Sequence, residues 1–152
     1  MCLCWVSADA DSGCPLIRMK DTLSKTTLGF IFTGLIYLVI GVTLGALFLI
    51  IPETHRLNLV HTHLNLVGFL TFILFGVAYH ILPRFRGRLL YSEKLAWWHF
   101  WLANVGLVGL LVFLGLGAYG SFAGLVALQG IFGTALALSM YLFVYNMFKT
   151  LA

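Results

Sequence analysis

The chain has 152 residues, of which 61% are apolar, 15% aromatic and 9% charged, and its mean hydropathy is +1.01. Soluble domains carry roughly a quarter charged residues, so nine Lys or Arg and five Asp or Glu exclude an ordinary soluble fold. A bilayer is spanned by about 20 apolar residues, which leaves room for a helical membrane bundle and none for a separate soluble catalytic domain.

Residues 1–27 read as a polar, disordered cytoplasmic tail without the apolar core of a secretory signal. They hold all three cysteines, Cys2, Cys4 and Cys14. A cytoplasmic location predicts free thiols, and the set lacks the fourth ligand and paired spacing of a structural zinc site. An alternative start at Met19 would make the first residues an upstream extension.

Residues 28–148 form the predicted membrane domain. Four uncharged segments, 28–51, 60–82, 95–117 and 122–148, are each 23 to 27 residues long, and every charged side chain lies outside them. They are too long for membrane strands of about 10 residues and do not alternate, so helices are expected. The predicted fold class is an all-α integral membrane protein, an up-down bundle of four transmembrane helices. Arg18, Lys20, Lys25, Arg84, Arg86, Arg88, Lys94 and Lys149 fall at one end of such a bundle and only Arg56 at the other. The positive-inside rule places both termini and the basic loop in the cytoplasm, with 52–58 and 118–121 outside. The expected location is a bacterial cytoplasmic (inner) membrane, the lipid bilayer is the first partner, and the pI near 9.2 reflects topology rather than nucleic-acid binding.

Polar groups inside a bilayer are costly and mark function by default. At about 100° per residue, His61 shares one face of the second helix with Asn65, Gly68, Phe72, Gly76 and Tyr79, which suits a packed interior or a flat cofactor. His63 shares the opposite, aliphatic face with Val67, Leu70, Leu74, Val77 and Ile81, so the two histidines cannot ligate one metal from one helical chain. His61 therefore ranks first as an inward ligand, and His63 as interfacial or supporting. His80 lies near the inner end of the second helix and His99 near the start of the third, where a hairpin could bring them together. His99 shares its face with the small residues Ala103, Gly106 and Gly117. His61 and His80 are 19 residues apart, about 28 Å along a helix, so they belong to separate sites.

Copper and zinc want three or four clustered ligands, whereas haem needs one or two and a long apolar slot. Isolated histidines among 13 Phe and 16 Gly fit haem better. The metal ligands expected are His61 for haem iron, then His99, His80 and His63, with Asn65, Gly68, Gly76 and Tyr79 also lining the cofactor. Copper is the alternative, held by His55, His61 and His63, and requires the second helix to begin after His63. A third reading has no cofactor, the histidines serving only as interhelical hydrogen-bonding groups.

The run His61-Thr62-His63-Leu64-Asn65, then Gly68, Gly76, Tyr79, His80, Pro83 and Arg84, then Phe100-Trp101, resembles helices II and III of subunit I of the haem-copper oxidases, the superfamily of cytochrome c oxidases and nitric oxide reductases. It resembles in particular small four-helix proteins grouped with subunit I of the cbb3-type oxidases. The motif covers 56–104 and the topology 28–148. The resemblance implies a haem b-binding, iron-containing protein of the respiratory chain, with an axial ligand at the outer end of the second helix. The glycine and proline offsets favour His61 for that ligand, and the Asn offset favours His63.

Nothing in the chain resembles the family's copper ligands, cross-linked tyrosine, high-spin haem ligand or second axial ligand. It is therefore expected not to be an enzyme on its own, and to act in electron transfer or in binding a diatomic gas such as NO or O₂. Family subunits are built as three arcs of four helices, so one such arc implies a homo-oligomer or a subunit of a respiratory complex. Gly41 and Gly45 on the first helix, with Gly130 and Gly133 on the fourth, could serve an oligomer interface or contacts within the chain. Trp97, Trp98, Trp101 and Tyr91 read as an interfacial aromatic belt.

Overall fold

The computed structural model describes residues 23–152. The cysteines and most of the expected tail lie outside the described residues. Four helices long and apolar enough to cross a membrane follow one another, connected by short turns: α1 (Lys25–Ile50), α2 (Pro52–Phe85), α3 (Glu93–Tyr119) and α4 (Leu125–Leu151). The described residues form a four-helix membrane bundle.

The helix ends do not coincide with those of the uncharged runs, because local capping and turn geometry rather than the first charge set them. Ser24 caps α1, its Oγ accepting from Thr27 N at 3.2 Å, so Lys25, Thr26 and Thr27 belong to α1 rather than to the tail. Ser92 caps α3 in the same way through Leu95 N, also at 3.2 Å. The expected outer loop 52–58 is helical instead. Pro52 opens a six-residue 3₁₀ turn, Pro52–Leu57, where its fixed φ and missing N–H carry no penalty. Helix α2 closes past Pro83: Gly87, at φ 60°, lets its N–H reach Arg84 O at 2.9 Å while Arg88 N reaches Pro83 O at 3.0 Å, a Schellman stop that favours glycine. Gly124, at φ 92°, starts α4 three residues later than the apolar run suggests.

Within α2 the stretch Leu64–Thr71 is a π-helix. Such wide turns are rare and slip the side-chain register relative to a regular α-helix. Thr71 marks the slip by donating its hydroxyl to Leu66 O, five residues back, at 2.8 Å.

Helix α1 lies along α2 and touches α3, while α4 lies along α3 and touches the inner half of α2. Glycines permit the close approaches. A Cβ on Gly106 of α3 would sit 2.7 Å from Leu136 N of α4, and one on Gly68 of α2 would sit 2.8 Å from Tyr37 Cβ of α1. The core at the inner half is aromatic: Phe30 packs edge-on against Phe72 and Phe100 at 5.3 and 5.1 Å, and Phe75 meets Phe143 at 4.5 Å. Leu70, Leu74, Val77 and Ile81 are exposed on the outside of the bundle, as a lipid-facing surface would be.

Candidate functional site

The residues singled out by sequence fall into three separate places.

At the outer end of α2, His61 is half-buried against the glycine face of α1. Its Nδ1 lies 2.9 Å from Gly41 O. A carbonyl only accepts, so Nδ1 carries the proton in neutral His61 and Nε2 presents a lone pair. Gly45 lies under the ring, where a Cβ would come within 2.8 Å of Cε1. Asn65 donates from Nδ2 to His61 O at 2.9 Å, and its amide lies against Gly41. The same amide nitrogen is 3.5 Å from His61 Nε2, long for a hydrogen bond. Phe48 stands between two imidazoles, with ring centroids 5.2 Å from His61 and 5.1 Å from His55.

His63 turns away, its Nδ1 donating to Leu59 O of its own helix at 2.8 Å. Because α2 is helical through His63, His55, His61 and His63 do not converge, and the condition set by the copper reading is not met. Among the described residues, no three His, Cys, Asp or Glu side chains gather as a metal site.

The second place is the buried inner core. Here the hairpin brings Tyr79, not His80, to His99: Tyr79 Oη is 3.0 Å from His99 Nδ1. His99 is fully buried, and its Nε2 has no hydrogen-bond partner among the described residues. Phe75, Phe30 and Phe143 surround the ring at centroid distances of 4.6, 4.8 and 5.6 Å. Nε2 is thereby sealed inside a packed aromatic core, without an open slot beside it for a cofactor in this arrangement. We assign Tyr79 as the donor, which leaves the imidazole proton on His99 Nε2.

The third place is the inner end of α2. His80 is half-buried and its Nε2 meets the Arg84 guanidinium, a cation where a metal ligand would need a free lone pair.

Gly68 and Gly76, expected along a cofactor slot, are covered by α1. A Cβ on Gly76 would lie 2.9 Å from Ile31 and 3.1 Å from Thr27 O. The face shared by His61, Asn65, Gly68 and Gly76 is thus a packed helix interface, and its polar groups, the His61 imidazole and the Asn65 amide, lie towards its outer end. His61 fits an axial haem ligand in one chemical respect, since a ring held through Nδ1–H by a backbone carbonyl is oriented and made more basic at Nε2.

Sequence reasoning centred on histidines and passed over the neutral amides that tie the helices together. Tyr37 Oη donates to Asn104 Oδ1 at 2.9 Å, joining α1 to α3. Asn146 of α4 is fully buried, donates to Ser92 O at 3.0 Å and accepts from Ser92 N at 3.2 Å. Their signal was present as lone amides within apolar spans.

No family model matches the chain. Over 49 residues, 32% of the chain, it is 49% identical to cytochrome c oxidase subunit 1 of Rhodobacter capsulatus. It is 45% identical over 49 residues to a cytochrome c oxidase subunit 1 homolog of Agrobacterium tumefaciens, and 44% identical over 46 residues to quinol oxidase subunit 1 of Sulfolobus acidocaldarius. The matched stretch spans 9% of the length of each of these relatives. The fold defines a multi-pass helical membrane protein. Its sequence relates it, over about a third of the chain, to subunit 1 of the haem-copper oxidases.

Proposed function

We propose that the chain binds a b-type haem through His61 at the outer end of α2 and serves electron transfer or diatomic gas binding in a bacterial cytoplasmic membrane. The observation that carries this reading is the His61 Nδ1 to Gly41 O hydrogen bond of 2.9 Å, which leaves a lone pair on Nε2 that could meet the iron. The similarity to oxidase subunit 1 supports it. The haem would supply one-electron chemistry or an iron site for a gas. Gly41 would orient the ligand ring, Gly45 would give it room, and Asn65 would brace the turn of helix that carries it.

At the outer end of the bundle α3 ends at Tyr119 and α4 begins at Leu125, and neither Tyr119 nor Ser121 of the intervening turn is an ordinary partner ligand for a low-spin haem. A second axial ligand would come from another protomer or from a partner subunit of a respiratory complex. Without it the iron would be five-coordinate and open to NO or O₂.

The packing of α1 over Gly68 and Gly76 favours a second reading, a cofactor-free subunit whose histidines join helices. An optical spectrum of the protein expressed with haem supplied separates the two. A Soret band lost in His61→Ala and kept in His63→Ala is the expected result. Absence of a Soret band in the wild type, with His61→Ala only weakening assembly with a partner complex, would establish the second reading.

A further inference from the structure

The basic end of the bundle holds a groove that neither the histidines nor the oxidase similarity accounts for. It is an open groove of about 390 Å³ between the first turns of α1 and α3, lined by Lys25, Thr26, Glu93, Lys94, Trp97 and Trp98. Lys25 and Lys94 approach it from two different helices, so it is a built junction rather than a run of basic residues along one segment.

Its depth is defined by the same residues. Trp97 and Trp98 are exposed, at 43% and 69%, and sit one turn inside the charged start of α3, at the level where indole rings mark the membrane interface. A ligand here meets ammonium groups at its outer edge and aromatic surface at its inner edge. Among molecules concentrated at that depth, phospholipids combine a phosphate with an apolar body. Basic pockets between membrane helices are sites of this kind.

The third charged residue narrows the class. Glu93 lines the same groove as the two lysines, so the lining carries one net positive charge. A headgroup with one net negative charge matches it, with the phosphate against Lys25 and Lys94 and hydroxyl donors towards Glu93 and Thr26. We propose that this groove is a specific site for one phospholipid of phosphatidylglycerol chemistry, lodged between α1 and α3 at the basic end of the bundle. The site would brace the α1–α3 contact, which is slight compared with the α1–α2 and α3–α4 pairs.

Native mass spectrometry of the full chain in a mild non-ionic detergent tests this with phosphatidylglycerol, phosphatidylethanolamine and phosphatidylcholine added separately. The wild type is expected to retain one phosphatidylglycerol per chain in roughly tenfold preference to the other two. Lys25→Gln with Lys94→Gln should abolish the preference, Arg86→Gln with Arg88→Gln in the nearby loop should keep it, and Glu93→Gln should strengthen retention. The opposite direction of the Glu93 variant separates site chemistry from misfolding, and circular dichroism checks that helicity is unchanged. Equal retention of the three lipids by the wild type overturns the proposal, as does equal loss in the loop variant. Binding of soluble glycerol phosphate as tight as that of the lipid overturns the lipid assignment.

Discussion

Tyr79 and His99 face each other across α2 and α3 with 3.0 Å between Oη and Nδ1, sealed among Phe30, Phe75 and Phe143. Among the described residues this is the one hydrogen bond of an imidazole whose other nitrogen has none. Two polar side chains thereby occupy an aromatic core at the cost of a single unpartnered atom, and the bond fixes how α2 and α3 meet at the inner half of the bundle.

Removing that hydroxyl should be felt as stability. Tyr79→Phe leaves His99 buried with neither nitrogen paired, and a loss of about 1–2 kcal/mol is expected. Hydrogen bonds between membrane helices average about 0.6 kcal/mol and reach about 1.7, with desolvation of the abandoned group added. The check is a double-mutant cycle with His99→Phe, read by equilibrium unfolding in mixed micelles. The two substitutions should be non-additive by about 1 kcal/mol. Additive effects would show that the bond contributes nothing.

Gly45 offers a way to move His61 without touching it. A methyl group there would come within 2.8 Å of Cε1, at the tip of a side chain that can swing, so Gly45→Ala should displace the imidazole rather than unfold the bundle. If His61 is a haem ligand, this variant should lower haem occupancy severalfold or shift the Soret maximum. Gly34→Ala, which meets only Ile73 at 3.1 Å, should do neither. An unchanged spectrum in Gly45→Ala beside an altered one in Gly34→Ala would remove His61 from the reading.

How far the sequence reaches is clearest along α2. Hydropathy and the confinement of charge to loops and ends reveal four spans, because a bilayer excludes charge and demands internally satisfied backbone. Neither property reports helix pitch, so the π-helical stretch at Leu64–Thr71 is invisible to them. A regular 100° step nonetheless finds the face shared by His61, Asn65, Gly68 and Gly76. What it leaves undecided is the occupant of that face, since glycines admit a helix as readily as a porphyrin, and here α1 takes the place. At the other end, counting residues around the basic loop pairs His80 with His99. Helical phase decides otherwise, turning Tyr79 inward and His80 towards Arg84.

The contrast between Gly106 and Gly130 tests which glycines hold helices together. A Cβ at Gly106 would meet Leu136 N at 2.7 Å and its Cα at 3.0 Å, whereas nothing lies within 4 Å of one at Gly130. Backbone cannot step aside as a side chain can, so Gly106→Ala should force α3 from α4 and cost about 1–3 kcal/mol. Gly130→Ala should be neutral, or stabilising by up to about 1 kcal/mol through helix propensity. Chain unfolding measured on both variants decides the matter. Equal effects would mean that the α3–α4 approach is looser than described. If Gly130→Ala instead changes the oligomeric state, that open surface of α4 is a contact between protomers.

Asn146 clamps the end of the basic loop to the last turns of α4. Its side chain takes both backbone groups of Ser92, at 3.0 and 3.2 Å, while Thr150 Oγ1 accepts from Tyr91 N at 3.1 Å. The two residues lie one turn apart on α4 and are buried, so they act together to hold the residue that caps α3. Asn146→Leu preserves bulk but strands Ser92 N, while Ser92 O keeps its bond from Ala96 N at 3.2 Å, and the expected cost is about 1–3 kcal/mol. Thr150→Val removes one acceptor and should cost less. The loss is local: amide exchange should quicken at Tyr91, Ser92 and the first turn of α3, with the middle of α3 keeping its protection. Exchange that rises evenly through α3 and α4 would instead make Asn146 part of the global core, and unchanged exchange at Ser92 would deny the clamp.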